Sequence, residues 1–307
     1  MNRLPKILIL VPLIAALVAP TVRVNGSSMP FNVGIVKKSV VFLYYPKTDD
    51  EFEVGTGFLV EIPTKADPDR GFVAIVTARH IVDPHWAGCS FTNPSQIYAR
   101  VNVKNFKVGQ KEDGVDEVML DLANAGKNVW WASPNDRADV AVIPLSTAHV
   151  DQMLENDVHF IPVADFATKA ETENYKVGIG DQIVTAGLVP ALLSAHRNYP
   201  AFKFGRISNI PEEPINMSCA KGDKPLPRNV WLLAGNFVGG NSGSPVYLLP
   251  PQPSAVHRVM LIGILAGVIP DVDLGQMVAS DYVFDIIQAH YPNANLFRGH
   301  TDHSIMK

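Results

Sequence analysis

Residues 239–246 read GGNSGSPV and lie between two apolar runs, VWLL at 230–233 and VYLL at 246–249. Small residues and a proline between strand-like runs indicate a tight turn with an exposed backbone. Ser242 can project its hydroxyl from such a turn while backbone N–H groups converge beside it. Acyl transfer needs both an attacking oxygen and donors for the charge that develops on a carbonyl. The stretch therefore indicates a nucleophilic turn, against the alternative of an ordinary glycine-rich hairpin.

Two upstream segments supply the partners that a serine nucleophile needs. Residues 72–80 read FVAIVTARH, an apolar strand that ends at His80, and residues 139–145 read DVAVIPL, which Asp139 opens. Serine is a weak nucleophile at its ordinary pKa, and histidine is suited to act as its base near neutral pH. A buried carboxylate then fixes the histidine tautomer and stabilises the imidazolium. The predicted catalytic residues are therefore His80, Asp139 and Ser242, in that order along the chain.

Two of these assignments have a competitor close by in the sequence. Ser244 is two residues from Ser242, but it directly precedes Pro245. Asp136 lies in a polar loop, whereas Asp139 adjoins an apolar strand that can hold and desolvate a carboxylate. We therefore favour Ser242 as the nucleophile and Asp139 as the acid that orients the base.

Three motifs in this order carry a family resemblance: TARH at 77–80, DVAV at 139–142 and GNSGSP at 240–245. Together they resemble the trypsin/chymotrypsin-like serine peptidase family, and GTGFLV at 55–60 is similar to that family's early glycine-rich strand. The resemblance is closer to the bacterial HtrA-like and glutamyl-endopeptidase-like branches than to digestive trypsins. The residues after 292 are too few for the PDZ domain that HtrA-like members usually carry.

The coarse pattern of the chain predicts an all-β fold with one C-terminal helix. Short apolar or alternating runs bounded by turn residues predict the strands, and Ser280 is expected to cap a helix over 281–290. Residues 112–127 are expected to be a polar surface excursion and residues 211–228 a loop. Composition does not distinguish a sandwich from a barrel. The family resemblance implies two six-stranded antiparallel β-barrels, with the catalytic residues in the cleft between them.

The expected domains follow from that architecture. Residues 33–155 would form the first barrel, with His80 and Asp139, and residues 156–292 the second, with Ser242 and the helix. Residues 293–307 would form a tail.

The family resemblance also suggests residues that contact a substrate. The backbone N–H groups of Gly240 and Ser242 are the expected oxyanion hole, since glycine adopts the backbone angles such a turn requires. By family position, the primary pocket involves four residues, Asn236, Leu265, Ala266 and Gly267. Trypsins and glutamyl endopeptidases carry a selecting aspartate or histidine at two of these places. Here those places hold Asn236 and Leu265, so we expect an uncharged P1 residue.

Asn241 directly precedes the expected nucleophile. Trypsin-like zymogens carry an aspartate at the matching place, which pairs with a newly cut N-terminal amine. A neutral asparagine cannot form that ion pair, so we expect activity that does not depend on inserting a new N-terminus.

The N-terminus predicts export. Arg3 and Lys6 precede an apolar run over 7–19, which is typical of a secretory signal. The run is shorter than the roughly 20 residues that a membrane span needs. Residues 1–28 are therefore interpreted as a signal peptide of a secreted or periplasmic protein, with cleavage after Ala19 or near 26–28. An N-terminal membrane anchor is the alternative.

Charge and cysteine content narrow the class of partner. The formal net charge of −4 over 307 residues gives no reason to expect nucleic acid or an anionic surface. Cys89 and Cys219, the only two cysteines, are too far apart for zinc-type spacing. In an exported protein they could form one disulfide, or they could remain two free thiols. No cofactor and no metal ion are predicted, and the expected partner is a protein or peptide substrate.

The predicted function is that of an exported serine endopeptidase that works through a His-Asp-Ser triad and an acyl-enzyme. A catalytically silent binding protein on the same fold is the alternative. An α/β-hydrolase esterase fits less well, because its elbow ends in glycine where this chain has Ser244, and its triad follows the reverse order.

Overall fold

The computed structural model describes residues 31–47, 52–67, 71–90, 92–107, 109, 114–194, 196–219, 222–249, 259–269 and 272–296. The predicted leader at 1–28 and residues 297–307 of the predicted tail lie outside this described part. No helix within the described ranges is both long enough and apolar enough to cross a membrane.

The N-terminal half forms one large, mainly antiparallel sheet and a small hairpin. Its strands are β1 (Val40–Pro46), β2 (Phe52–Pro63), β3 (Gly71–Thr77), β4 (Gln96–Asn102), β5 (Val115–Asp121), β6 (Ala123–Asn124), β7 (Lys127–Asn128), β8 (Trp131–Ala132), β9 (Ala141–Pro144) and β10 (Ile161–Pro162). The large sheet has the order β5-β4-β1-β2-β3-β9-β8, and β10 pairs in parallel with β2. Strands β6 and β7 pair only with each other in the described chain.

The described pairings give this sheet eight strands where the resemblance implied six. The two ends of the pairing order, β5 and β8, are neighbours along the chain and are separated only by the β6–β7 hairpin. If β5 and β8 are counted as one interrupted strand, the antiparallel part of the sheet has six strands, and β10 is an addition.

Strand β5 corrects the expectation that residues 112–127 are a surface excursion. Its exposed positions Glu117, Met119 and Asp121 alternate with buried Val118 and Leu120. This period of two is typical of a half-buried strand. The charged residues on its outer face made the segment look like a loop in the sequence.

Strands β2 and β3 are apolar on both faces because each face packs on a different cluster. Phe58 and Val76 pack in a cluster that also contains residues of the second half of the chain. Leu59 and Ile75, one position away, pack in a cluster enclosed by the N-terminal sheet. Alternate side chains of a strand point to opposite faces, so a strand between two cores needs an unbroken apolar run.

The C-terminal half contains a closed antiparallel barrel. Its strands are β11 (Gln182–Gly187), β12 (Ala201–Asn209), β15 (Trp231–Gly235), β16 (Pro245–Leu248), β17 (Met260–Ile269) and β18 (Leu274–Ala279). They close in the order β11-β12-β15-β18-β17-β16. Residues 211–228, expected as a loop, contain the short hairpin of β13 (Ile215–Met217) and β14 (Leu226–Arg228).

Short helices connect and cover the sheets. They are α1 (Val33–Ser39), α2 (Arg79–Val82), α3 (Pro84–Ala87), α4 (Thr147–Glu155), α5 (Lys169–Asn174) and α6 (Asp281–His290). Helix α6 buries Val283, Ile286 and Ile287, the three- and four-residue spacing of one helix face. Ser280 occupies the N-cap position of α6, but its hydroxyl donates to the carbonyl of Ala167 at 2.7 Å instead of capping the helix. The expected helix is present and its expected cap is not.

The fold prediction is confirmed at the level of class and main elements. The chain is mainly β, with a closed six-stranded barrel, a second sheet and a C-terminal helix. The sequence left the pairing of the cysteines open, and in the structure Cys89 and Cys219 form a disulfide with a Cα–Cα distance of 5.2 Å. This bond links the end of α3 to the segment that carries the β13–β14 hairpin.

Candidate active site

His80 lies in α2, directly after the end of β3, and Asp139 holds it from two directions. The ring Nδ1 of His80 is 2.8 Å from Oδ2 of Asp139, and the backbone N–H of His80 donates to Oδ1 at 3.0 Å. Asp139 is 8% exposed. An ionised carboxylate only accepts hydrogen bonds, so Nδ1 carries the ring proton. The arrangement leaves Nε2 as the nitrogen that can accept a proton.

The electrostatics of this pair are set by burial and by mutual attraction. Burial by itself would lower the pKa of His80, but the charge and hydrogen bond of Asp139 outweigh it, and the pKa is raised overall. Burial would raise the pKa of Asp139, but the charge and hydrogen bonds of His80, with a smaller contribution from Arg228, lower it overall. The two shifts agree in favouring a carboxylate beside an imidazole that readily takes up a second proton.

Asp136, the competitor of Asp139, belongs to a separate cluster. Its carboxylate accepts from Nη1 of Arg79 at 2.9 Å and from the indole Nε1 of Trp86 at 2.8 Å. Its side chain is 82% exposed. Asp139 is therefore the carboxylate that contacts His80, and Asp136 orders the surface beside it.

Ser242 lies in a turn that is held against the N-terminal sheet. Its carbonyl oxygen accepts from the backbone N–H of Thr56 on β2 at 2.7 Å. The carbonyl of Thr56 in turn accepts from the hydroxyl of Thr77, three residues before His80, at 2.8 Å. Among the described residues, no hydrogen bond joins the Ser242 hydroxyl to the His80 ring. The structure thus brings His80 and Asp139 into contact and places the turn of Ser242 on the strand next to β3.

Gly243 makes this close approach possible. It has a φ of +90°, and a Cβ placed on it would lie 1.8 Å from the carbonyl oxygen of Thr56. Only glycine combines this backbone angle with so little space. Gly240 has a φ of +86° for the same turn.

Two backbone donors in this turn have no acceptor among the described residues. Of the five consecutive N–H groups over 240–244, three donate to carbonyls of the protein, those of Asn241 to Val238, Gly243 to Leu265 and Ser244 to Asn241. Within the described chain the N–H groups of Gly240 and Ser242 donate to no protein atom. Because most buried backbone donors in proteins are paired, a pair of free donors beside a serine is a candidate anion site.

Ser244, the competing serine, is fully buried, and its hydroxyl has no hydrogen-bond partner in the described structure. A Cβ placed on Gly187 would lie 2.0 Å from this hydroxyl oxygen, so Ser244 packs tightly against β11. Ser242 is half-buried and is the more accessible of the two.

The four residues expected to line the primary pocket differ in accessibility. Asn236 is exposed and Gly267 is partly exposed, whereas Leu265 is fully buried and Ala266 is 4% exposed. Leu265 packs in the core of the C-terminal barrel beside the partly buried ring of Phe237. In this conformation Asn236 and Gly267 offer surface to a ligand, and the side chain of Leu265 does not.

Arg228 is a residue of the site that sequence reasoning missed. Its guanidinium lies 3.7 Å from the ring centroid of Trp86 and donates to the carbonyl of Trp86 at 3.0 Å. It is 7% exposed, and its charge contributes to the lowered pKa of Asp139. The segment around it was expected to be a loop, and no local pattern marks an arginine that reaches a distant carboxylate.

Thr56 was also missed as a site residue, although the sequence contained a signal. The GTG motif at 55–57 was interpreted as a glycine-rich strand. The hydroxyl of its threonine donates to the carbonyl of Gly240 at 2.7 Å, in addition to the backbone contact with Ser242. A polar residue between two glycines on a buried strand is the feature that could have pointed to this contact.

A scan against protein-family models and a search of curated proteins give no match. Among solved structures, the chain is similar to the Rv3671c protease from M. tuberculosis in its active form, at 16% identity over 95% of this chain and 97% of that chain, with a TM-score of 0.45. It is similar to a thermostable serine protease, AL20, from an extremophilic microorganism, at 13% identity over 82% of this chain and 97% of that chain, with a TM-score of 0.46. It is also similar to tobacco etch virus protease complexed with product, at 11% identity, 87% and 83% coverage, and a TM-score of 0.46. At these identities and TM-scores, no residue role follows from these proteins.

Proposed function

We propose that this chain is a serine endopeptidase that hydrolyses peptide bonds through His80, Asp139 and Ser242. The observation that carries the proposal is that Asp139 forms two hydrogen bonds with His80. One carboxylate oxygen accepts from the ring Nδ1 and the other from the backbone N–H. These bonds orient the ring and fix its tautomer, as a general base for a serine requires. The free N–H groups of Gly240 and Ser242 support the same reading.

The chemistry would proceed in two halves. The Ser242 oxygen attacks the peptide carbonyl while Nε2 of His80 takes its proton, and the carbonyl oxygen, now negative, accepts from the N–H groups of Gly240 and Ser242. His80 then gives the proton to the departing amine, leaving an acyl group on Ser242. Water, deprotonated by His80, releases the acid and restores the serine. Asp139 stabilises the imidazolium in both halves.

Substrate binding must close the contact between the Ser242 hydroxyl and the His80 ring. Rotation about χ1 of Ser242 moves the hydroxyl without moving the backbone, which Thr56 holds. Catalytic hydrogen bonds that are long or absent without substrate commonly tighten in the substrate complex.

The proposal extends to substrate and location. None of the four residues expected to line the primary pocket, Asn236, Leu265, Ala266 and Gly267, carries a charge, so the proposed P1 residue is uncharged. The leader predicted at 1–28 would direct the enzyme to a secreted or periplasmic location, or anchor it at the membrane. The HtrA-like or glutamyl-endopeptidase-like branch is part of the same proposal.

Labelling with a fluorophosphonate probe, together with cleavage of a peptide library, tests the proposal. We expect wild type to be labelled and to cleave after uncharged residues, and Ser242→Ala to do neither. Ser244→Ala is the matched control, since it removes a neighbouring hydroxyl that is fully buried, and it should keep labelling and cleavage. Labelling that persists in Ser242→Ala would overturn the assignment of the nucleophile.

The alternative is a silent binding protein on the same fold, and the open contact between Ser242 and His80 favours it. In that case wild type would not be labelled and would cleave nothing, while folded wild type and Ser242→Ala would bind peptides equally well.

A further inference from the structure

Asn241, next to the proposed nucleophile, is 1% exposed, and every polar atom of its side chain is engaged by a different segment. Its Oδ1 accepts from Nζ of Lys203 at 2.8 Å and from the backbone N–H of Val238 at 3.1 Å. Its Nδ2 donates to the carbonyl of Leu188 at 2.8 Å. A buried amide held at three points fixes the conformation of the turn in which it lies.

Lys203 is anchored on the wall of the closed barrel. It lies on β12 opposite Thr185 of β11, and Thr185 also pairs with Val246 of β16, the strand that leaves the Ser242 turn. The Thr185 hydroxyl donates to the carbonyl of Pro245 at 2.8 Å, which ties the same wall to the exit of the turn. The ammonium of Lys203 therefore reaches Asn241 from a rigid support.

The lysine is an unusual choice for this place. Burial lowers its pKa, and within the described residues no carboxylate forms an ion pair with it. A partly buried ammonium without a counter-ion loses solvation that a neutral amide only partly replaces. The ammonium of Lys203 nevertheless donates to the buried amide of Asn241, which points to a role in holding the turn.

The hydrogen bonds of Asn241 extend through Leu188 to the residues whose backbone N–H groups are free, Gly240 and Ser242. The N–H of Leu188 donates to the Thr56 hydroxyl at 3.1 Å, and that hydroxyl donates to the carbonyl of Gly240. The N–H of Thr56 donates to the carbonyl of Ser242. The carbonyls on both sides of Asn241 are thus held on the Thr56 side. The carbonyl of Asn241, which shares a peptide plane with the N–H of Ser242, accepts from the N–H of Ser244 at 3.0 Å. These contacts fix the turn in the form in which the N–H groups of Gly240 and Ser242 donate to no atom of the described chain.

We propose that Lys203 is a positioning residue for the proposed reaction: its contact with Asn241 keeps the turn over 239–243 in the form that presents the N–H groups of Gly240 and Ser242 to the oxyanion. The contact joins β12 to the turn, so the proposed form of the turn needs no newly cut chain terminus. The inference rests on the proposed function, and it adds a residue that contacts neither substrate nor the reacting atoms.

The expected effect falls on kcat and spares KM. Loss of one oxyanion donor lowers kcat by roughly 100- to 1000-fold in enzymes of this chemistry. A variant in which the turn is only loosened should lose less kcat, on the order of 10- to 100-fold, because part of the population keeps the active form of the turn. Substrate side chains bind elsewhere, so KM should change less than about threefold, because uniform binding is untouched.

The test compares Lys203→Met with Lys203→Arg, Asn241→Ala and the double variant Lys203→Met/Asn241→Ala. We expect Lys203→Met and Asn241→Ala to show a similar loss of kcat, the double variant to be no worse than either, and Lys203→Arg to recover part of the loss. Affinity for a peptide boronic acid, which forms a tetrahedral adduct on the serine, should fall in parallel with kcat, whereas affinity for the corresponding product peptide should not.

Arg206→Met is the matched control, because it removes a cation from the same strand that donates to Gly180, away from Asn241. It should keep wild-type kcat. Wild-type kcat in folded Lys203→Met would overturn the positioning role, and so would additive losses in the double variant. If Lys203→Met does not fold, a wild-type kcat in Asn241→Ala overturns it in the same way. If wild type itself has no activity and takes no boronic acid, the proposed function fails instead.

Discussion

Thr56 donates its backbone N–H to the carbonyl oxygen of Ser242 at 2.7 Å, across the two halves of the chain. Its hydroxyl donates to the carbonyl of Gly240 at 2.7 Å and accepts from the N–H of Leu188 at 3.1 Å. One residue of the N-terminal sheet thus fixes the turn that belongs to the C-terminal barrel. Thr77, which donates to the carbonyl of Thr56, connects this contact to the strand that leads to His80.

Thr56→Val should impair both stability and catalysis. The substitution keeps the shape of the side chain and leaves the Gly240 carbonyl and the Leu188 N–H without partners. Each unpaired buried group costs about 1–3 kcal/mol, so for these two groups we expect the free energy of unfolding to fall by about 2–6 kcal/mol. Denaturant unfolding and kcat measure the two effects. Thr172→Val, which removes a hydroxyl that bonds a carbonyl of α5, should lower stability far less and leave kcat unchanged.

Gly243→Ala should prevent the turn from docking on β2. The added Cβ would lie 1.8 Å from the Thr56 carbonyl oxygen and 2.5 Å from the Thr77 hydroxyl, at a φ that L residues rarely adopt. Backbone cannot yield as a flexible side chain does, so we expect a loss of about 3 kcal/mol or more in the free energy of unfolding. Gly126→Ala is the control, with φ +76° and no atom within 4 Å. Equal thermal stability of the two variants would contradict the docking.

The raised pKa of His80 sets the pH at which kcat/KM falls on the acid side of its pH profile, the acid limb. The general base must be neutral in the free enzyme, so kcat/KM should fall below a pH that lies above the ordinary histidine value of about 6.5. Asp139→Asn removes the cause of the raised pKa, and it should lower kcat by roughly 10⁴-fold because the tautomer is no longer fixed. An acid limb at or below the ordinary histidine pKa in wild type would contradict the role of Asp139.

The same pair also makes stability depend on pH in two opposite ways. The raised pKa of His80 contributes stability that is fully present below the unfolded-state pKa and is lost as pH rises through the folded-state pKa. The lowered pKa of Asp139 contributes stability that is present above its unfolded-state pKa and is lost as pH falls through its folded-state pKa. We expect the free energy of unfolding of Asp139→Asn, measured with denaturant across the pH range, to vary less with pH at both the acid and the basic end.

Arg228→Met should move the acid limb to higher pH. The buried Arg228 cation lowers the pKa of His80, so its removal raises that pKa further, and the base becomes protonated at a higher pH. The kcat/KM profile of the variant measures the shift. Arg137→Met, which removes an exposed arginine from the loop before Asp139, is the control and should leave the profile in place. A shift toward lower pH in Arg228→Met would contradict the electrostatic coupling.

The disulfide should contribute a large share of stability. Cys89 and Cys219 are 130 residues apart, and closing a loop of that length in the unfolded chain corresponds to about 5 kcal/mol in the chain-entropy description. Cys89→Ser/Cys219→Ser should therefore unfold at a lower denaturant concentration than the wild type. Reduced wild type should match the double variant. Identical midpoints for oxidised and reduced wild type would contradict the contribution.

Several features of the fold could be predicted because they repeat locally. The apolar run before His80 and the alternation over 97–103 have the period of strands, and the spacing of apolar residues over 283–287 has that of a helix. Strand β5 was missed because its outer face carries acidic side chains, which a local pattern does not distinguish from a loop. The hydroxyl of Ser280 was misjudged because its acceptor, Ala167, lies far away in the sequence.

The class of fold and the candidate groups follow from local features of the sequence: strands from periodicity, a serine in a glycine-rich turn, a histidine and an aspartate at strand ends. Which distant groups meet depends on the folded chain. It paired Cys89 with Cys219, set Thr56 against Ser242 and brought Lys203 to Asn241. The physical reason is that periodicity acts over a few residues, whereas these contacts depend on strand register, barrel closure and the packing of two halves of the chain.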